Sequence, residues 1–213
     1  MMQLFALPSD TKDIAPDLLM ENGKLKLLPA SEYKKYPWDE FRLFCHNYAR
    51  YGIPTIGLIE YLKTITYNRD VLEIGAGCGD LGYHLGIKMT DSHQQDNPAV
   101  KKMYEDMRQP TIKYGKDVEK IDALEAVKKY KPQVVIGSWI TPYAPHQTTF
   151  GSNPMGIKED KILEFVETFI IIGNLEQHWD KPIRKHKHTI TYGDWLISRA
   201  KDPYKNCIMI WDK

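Results

Sequence analysis

Val71-Leu72-Glu73-Ile74-Gly75-Ala76-Gly77-Cys78-Gly79 is the stretch of this 213-residue chain on which its fold turns. Four residues of strand type run into three glycines at alternate positions. Gly79-Asp80-Leu81-Gly82-Tyr83-His84-Leu85 then opens a helix. Without Cβ atoms such a turn reaches positive φ, and a ligand can approach the main chain closely. The helix behind it presents N–H groups that have no partner within the helix.

Working outward, strands are expected at Ile87 to Thr90, Ile112 to Tyr114, Val134 to Gly137, Phe169 to Ile172 and Cys207 to Trp211. Helical spacing fills the intervals. Trp38 to Arg50 has apolar residues at 38, 41, 44, 45 and 48, with Pro37 ahead and Gly52 behind. Thr55 caps a helix with Ile56, Ile59, Leu62 and Ile65 on one face. Further helices are expected at Val100 to Met107, Val118 to Tyr130, Glu159 to Val166 and Trp195 to Ala200. The alternation predicts an α/β fold: a doubly wound, mostly parallel sheet with helices on both faces. We read residues 1–213 as a single domain, with an N-terminal helical extension over 1–50 and a Rossmann-like core over 51–213. Ligands of such sheets sit at the carboxyl ends of the strands.

Composition narrows the classes. With 42% hydrophobic and 27% charged residues, the chain is not disordered, collagenous or a coiled coil. The 29 basic and 28 acidic residues leave a net charge of +1, too little for a strong field toward nucleic acid or membrane. No apolar run reaches the roughly 18 residues a membrane helix needs, and Met1 to Asp10 do not read as a secretion signal. Cys45, Cys78 and Cys207 are scattered, which suits reduced thiols and a cytoplasmic setting.

The frame of the glycines matters. A dinucleotide fingerprint starts directly after the strand, at Gly75, and its third glycine would then fall on Asp80. Asp80 at the helix start also repels a pyrophosphate. Glu73, two residues before the first glycine, is placed to receive a cationic amino group. Here the chain resembles class I S-adenosylmethionine-dependent methyltransferases, in a little-characterised branch, over about residues 50 to 175. The first motif of that family is an acidic residue, any residue, then Gly-x-Gly-x-Gly. The resemblance implies S-adenosylmethionine as cofactor, an ammonium- and sulfonium-bearing molecule without phosphate. Glu73, Gly75, Ala76, Gly77 and Gly79 would hold it.

Asp91 ends the second expected strand, where a carboxylate accepts ribose hydroxyls, with Ser92 beside it. It can also be read as a solvated turn acid. In the family an acid further on accepts from the adenine amino group while the next backbone N–H meets the ring. Asp117 and Val118 are the candidates, and Asp117 equally reads as a helix cap.

The fourth strand leads into Ser138-Trp139-Ile140-Thr141-Pro142-Tyr143. Family members acting on amino nitrogens often carry Asn/Asp/Ser-Pro-Pro-Tyr/Phe there. This chain keeps Ser138 but has Trp139-Ile140-Thr141 before Pro142 and Tyr143, which speaks against amino-nitrogen chemistry. Ser138 is a cofactor candidate; Trp139, Pro142 and Tyr143 are candidates beside the acceptor. Both aromatics also read as packing residues. Residues 140–157, rich in proline and glycine, read as a lid or as a surface loop.

Lys181 to His188 is the one basic concentration, read as a solvated loop that an acidic acceptor or nucleic acid could use. His186-x-His188 lacks a third metal ligand, so no metal is expected. His84 and His93 carry no assigned role. No catalytic base is singled out. The expected activity is methyl transfer from S-adenosylmethionine to an unidentified small molecule, protein or nucleic acid. A non-catalytic S-adenosylmethionine-binding or scaffolding protein and an NAD-dependent oxidoreductase are the competing classes.

Overall fold

The computed structural model describes residues 11–144 and 152–213. Helices are α1 Ala15–Leu18, α2 Ala30–Tyr33, α3 Trp38–Asn47, α4 Ile56–Ile65, α5 Asp80–Leu85, α6 Pro98–Asp106, α7 Ala123–Tyr130 and α8 Glu159–Leu163. Strands are β1 Gly52–Ile53, β2 Val71–Ile74, β3 Lys88–Asp91, β4 Glu119–Lys120, β5 Val134–Ser138, β6 Thr168–Asn174, β7 Thr189–Thr191, β8 Ile197–Ser198 and β9 Asn206–Asp212.

Seven strands form one sheet in the order β4-β3-β2-β5-β6-β9-β7. The first five are parallel neighbours. β9 lies antiparallel between β6 and β7. Counted from the strand at Val71, the order is 3-2-1-4-5-7-6, whereas a dinucleotide fold runs 3-2-1-4-5-6. The order reverses between β2 and β5, so a crevice opens where these neighbours end. The fold is the expected α/β arrangement, a doubly wound and mostly parallel sheet.

The central strands β2, β5, β6 and β9 are buried on both faces, which their continuous apolar runs require. Alternate residues enter opposite cores. Leu72, Val135, Phe169, Ile171, Met209 and Trp211 face Ala126 and Val127 of α7 and Ile162 of α8. Val134, Ile136, Ile170, Ile172 and Ile208 face Leu58, Ile59 and Leu62 of α4 and Leu81 of α5. Each such side chain contributes about 1.5–3 kcal/mol on burial. A third cluster joins Leu18, Leu25 and Tyr33 to Phe41, Phe44 and Cys45 of α3 and to Ile53.

Three expectations change. Ile112 to Tyr114 is not a strand: the Ile112 N–H donates to Gln95 Oε1 at 2.7 Å, and the Tyr114 ring stacks on His93 at 3.9 Å. The third parallel strand is instead Glu119–Lys120, paired with Thr90 and Asp91. The helix expected from Val118 starts only at Ala123, capped by Asp122, whose Oδ1 accepts from the N–H groups of Leu124 (2.8 Å) and Glu125 (3.3 Å). Trp195 to Ala200 is not a helix, because Ile197 and Ser198 pair with Ile53 and Gly52. There tertiary pairing overrides local propensity.

Candidate functional site

The glycine turn forms the floor of a cavity of about 500 Å³ at the reversal of strand order. That volume lies within the range of small-molecule and cofactor sites. Glu73, Gly75, Ala76, Gly77, Asp91, Ser92, Ser138 and Trp139 all line it. Gly75, Gly77 and Gly79 have φ of 61°, 56° and 74°. A Cβ on Gly77 would meet Ile112 at 3.5 Å, an ordinary contact, so the strain there comes from the backbone conformation.

The turn is held from outside its own segment. The Ala76 N–H donates to Thr90 O at 3.0 Å. The Lys24 ammonium donates to the carbonyls of Cys78 (2.7 Å) and Gly79 (3.2 Å) and to Asp117 Oδ1 (2.7 Å). Asp80 accepts from the Leu25 N–H at 2.9 Å and pairs with Arg50 Nε at 2.9 Å. The His84 ring bonds Leu25 O at 2.7 Å. The segment expected to be a peripheral extension thus locks the turn and the start of α5.

Glu73 is buried, and its Oε2 accepts from the Gly82 N–H in α5 at 2.8 Å. The carboxylate already meets the first turn of the helix, where a pyrophosphate would otherwise compete. Burial, with Asp80 and Asp91 nearby, pushes the carboxyl up from 4.5 to about 8, against the opposing pull of the Gly82 N–H and Lys24. Below the ordinary value both folded and unfolded chains hold the proton. Between 4.5 and about 8 only the folded chain holds it, so this group makes stability fall as pH rises through that window. Glu73→Gln is expected to remove that fall. Relative to the parent it gains about 1 kcal/mol per pH unit between about pH 6 and about pH 7.5, read from urea unfolding.

Asp91 is buried at the end of β3. Its Oδ2 accepts from the Gly77 N–H at 2.9 Å and its Oδ1 from the His93 N–H at 2.8 Å. Burial raises its pKa, and those two N–H groups oppose the rise. Cys78 also lines the cavity, and burial pushes its thiol up to about 11, which makes it a filler and not a thiolate.

Asp117, Val118 and Gly79 do not line the cavity. Asp117 serves Lys24, and Val118 packs beside Gly79. The true register of the third strand puts Asp122 and Ala123 at the cavity wall in their place. The residues just past the carboxyl end of β4 are the signal that finds them. Asp122→Ala is expected to lower affinity for an adenine nucleoside about tenfold and to cost about 1 kcal/mol of cap stability. Asp117→Ala should leave affinity within about twofold. Calorimetry on both variants distinguishes the two positions.

Past β5, Trp139 has φ of +56°, and its N–H donates to Ile172 O at 2.9 Å. Such a conformation in a bulky residue is held only where the surroundings enforce it. Its indole lies 5.3 Å from the His178 ring and 6.5 Å from Tyr51, and a Cβ on Gly52 would come 2.6 Å from Nε1. Pro142 lines a second, adjoining cavity of about 250 Å³. Tyr143 lines neither; it bridges to Asn153, and Lys158 sits 4.9 Å over its ring. The lid expected over 140–157 falls partly on 145–151, outside the described residues. Beyond that gap Asn153 donates to Gln94 Oε1 at 3.2 Å, and Met155 and Ile157 line the cavity.

The basic segment after β6 is largely matched internally. Lys181 pairs with buried Glu159, Lys185 with Asp160 at 2.7 Å, and His186 lies 3.3 Å from Asp160. His188 stacks on Trp211. Among the described residues no group of three or more His, Cys, Asp or Glu gathers as a metal site. No described helix is long and apolar enough to cross a membrane.

No protein-family model matches the chain, and no curated protein does. Solved structures align with it only at low identity and low TM-score. A precorrin-8W decarboxylase from Methanobacterium thermoautotrophicum aligns with 78% of this chain and 94% of its own at 11% identity and TM-score 0.39. A SAM-dependent methyltransferase from Agrobacterium tumefaciens aligns with 74% of this chain at 12% identity and TM-score 0.36; this chain spans 61% of its length. Thermoplasma acidophilum 1320 aligns with 93% of this chain and 96% of its own at 16% identity and TM-score 0.35. Likeness at this level says nothing about what this chain binds. Fold and site together define an α/β protein with a nucleoside-sized cleft at its topological switch point.

Proposed function

We propose that the chain is an S-adenosylmethionine-dependent methyltransferase. The observation that carries this reading is the convergence of three strand ends on one cavity. The glycine turn after β2, Asp91 closing β3 and Asp122 just past β4 all line it. This set fits the cofactor. Bare backbone at Gly77 leaves room for the amino-acid part, while at Gly75 the missing Cβ makes way for Ile140, which would lie 2.7 Å from it. Asp91 is placed for ribose hydroxyls, and Asp122 with the Ala123 N–H for an adenine edge. At the start of α5 Glu73 already accepts from the Gly82 N–H and Asp80 is paired with Arg50, so that helix end is served from within the chain, which disfavours a pyrophosphate. The antiparallel β9 further separates the sheet from a dinucleotide fold.

S-adenosylmethionine bound there supplies a methyl group on a positively charged sulfur. The chain's own residues have to align the acceptor and exclude water. At the end of β5, Ser138 on the large cavity and Trp139 on both cavities stand to do so. Glu73 adds a proton linkage: a cation in the cavity favours its ionised form, so binding near neutral pH releases a proton. Incubating the full chain with methyl-labelled S-adenosylmethionine and cell extract tests turnover. Label transferred by the parent and lost in Gly77→Val supports the reading. Cofactor binding without any transferred label supports a scaffold instead.

A further inference from the structure

The two cavities differ in their charged lining. The large one has Asp91, Asp122 and Glu73, with Asp80 paired to Arg50, and shares Arg199 at its edge. The smaller one is lined by Tyr51, Trp139, Gln177, His178, Lys181, Arg199 and Lys201 among others, with no carboxylate among the described residues. The cavities meet at Tyr51, Trp139 and Arg199.

The cations of the small cavity differ in availability. Lys181 is buried, paired with Glu159, and donates to Ile140 O at 2.9 Å. His178 is buried, its Nδ1 accepting from the Asn174 N–H at 3.0 Å, and burial drives its pKa down to about 3, so it is neutral. Arg199 is different. Its guanidinium lies 3.7 Å above the Tyr51 ring, its main-chain N–H donates to Tyr51 O at 3.1 Å, and among the described residues its side chain has no carboxylate partner. Exposed Lys201 likewise has none. The nearby acids Asp202 and Glu176 face Lys205 instead, at 3.3 and 3.8 Å. A guanidinium oriented on an aromatic face and lacking a counter-ion is prepared for a planar oxyanion.

We propose that the small cavity is the acceptor subsite and that it takes a small aromatic oxyanion, a carboxylate or phosphate held by Arg199 with Lys201, its ring against Trp139. This rests on the methyltransferase reading for the word acceptor, but the anion preference stands on Arg199 alone. A small molecule is favoured over nucleic acid because the cavity is only about 250 Å³ and the neighbouring basic segment is internally paired.

The test uses the full chain with and without S-adenosylhomocysteine, with binding followed by calorimetry. The probes are benzoate, phenyl phosphate, benzylamine and a short single-stranded oligonucleotide. Benzoate or phenyl phosphate is expected to bind at least about tenfold more tightly than benzylamine, and their ranking separates carboxylate from phosphate. Arg199→Gln should lower that affinity about tenfold or more, and Arg199→Lys should recover part of it. Lys201→Gln, at an exposed residue that does not threaten folding, should lower it about two- to threefold. Benzylamine binding as well as benzoate, unchanged affinity in folded Arg199→Gln, or binding of the oligonucleotide alone would overturn the proposal. If S-adenosylhomocysteine fails to bind while Arg199-dependent anion binding persists, the methyltransferase reading falls and the anion subsite stands. The reverse pattern sinks only the subsite.

Discussion

Gly77→Val is expected to abolish measurable S-adenosylmethionine binding in a chain that still folds. Gly77 sits at φ 56°, a left-handed conformation that a β-branched residue adopts at a cost of about 1–3 kcal/mol. The new Cβ meets only Ile112, at 3.5 Å, so the rest of the valine enters the cavity and not the packed core. A domain of this size tolerates that cost within the usual 5–15 kcal/mol of stability. The ligand does not tolerate lost space against the backbone, and affinity should drop at least about a hundredfold, or about 2.7 kcal/mol. Calorimetry gives the affinity, and circular dichroism shows that the fold is retained. Gly79 is a poorer probe: its Cβ would come 2.6 Å from Lys24 Nζ and 2.8 Å from Val118, so substitution there disturbs packing first.

Asp91→Ala is the second large effect. Its carboxylate organises the site as well as facing it, because it ties Gly77 N–H to His93 N–H across the two loops. Removing it takes away the expected ribose acceptors and leaves those two donors without their partner. Affinity for S-adenosylmethionine should fall by about 1–3 kcal/mol, roughly tenfold to a hundredfold. Hydrogen exchange at the Gly77 and His93 amides should speed up in the free protein. A loss of affinity with unchanged exchange would show that Asp91 only contacts the ligand. Unchanged affinity would remove it from the site.

The parts of the molecule that were legible in the sequence are those written locally. Val71 to Ile74 followed by alternate glycines gives strand, turn and helix within fifteen residues, 71 to 85. Thr55 caps α4 through its own Oγ1, which accepts from the Leu58 N–H at 3.2 Å. The third parallel strand was misplaced because it is two residues long and holds itself through the Asp91 edge, with no apolar run to announce it. Val118 also continued the helical period of 121, 124 and 127 while packing beside Gly79. That difference in register is why Asp122, and not Asp117, lines the cavity. Lys24 and Arg50 were out of reach for another reason: they meet Cys78 and Asp80 only through tertiary folding, and no local pattern marks a lysine that binds carbonyls. β7, a polar edge strand of three residues, carries too little alternation to be seen.

On the proposed reading the glycine-floored cavity takes an adenosyl cofactor without phosphate. Thermal shift of the full chain with S-adenosylmethionine, S-adenosylhomocysteine and NAD tests it most directly. Both adenosyl compounds are expected to raise Tm in a saturable way, Gly77→Val to lose the effect, and NAD to leave Tm unchanged. Stabilisation by NAD with no response to either adenosyl compound would contradict it.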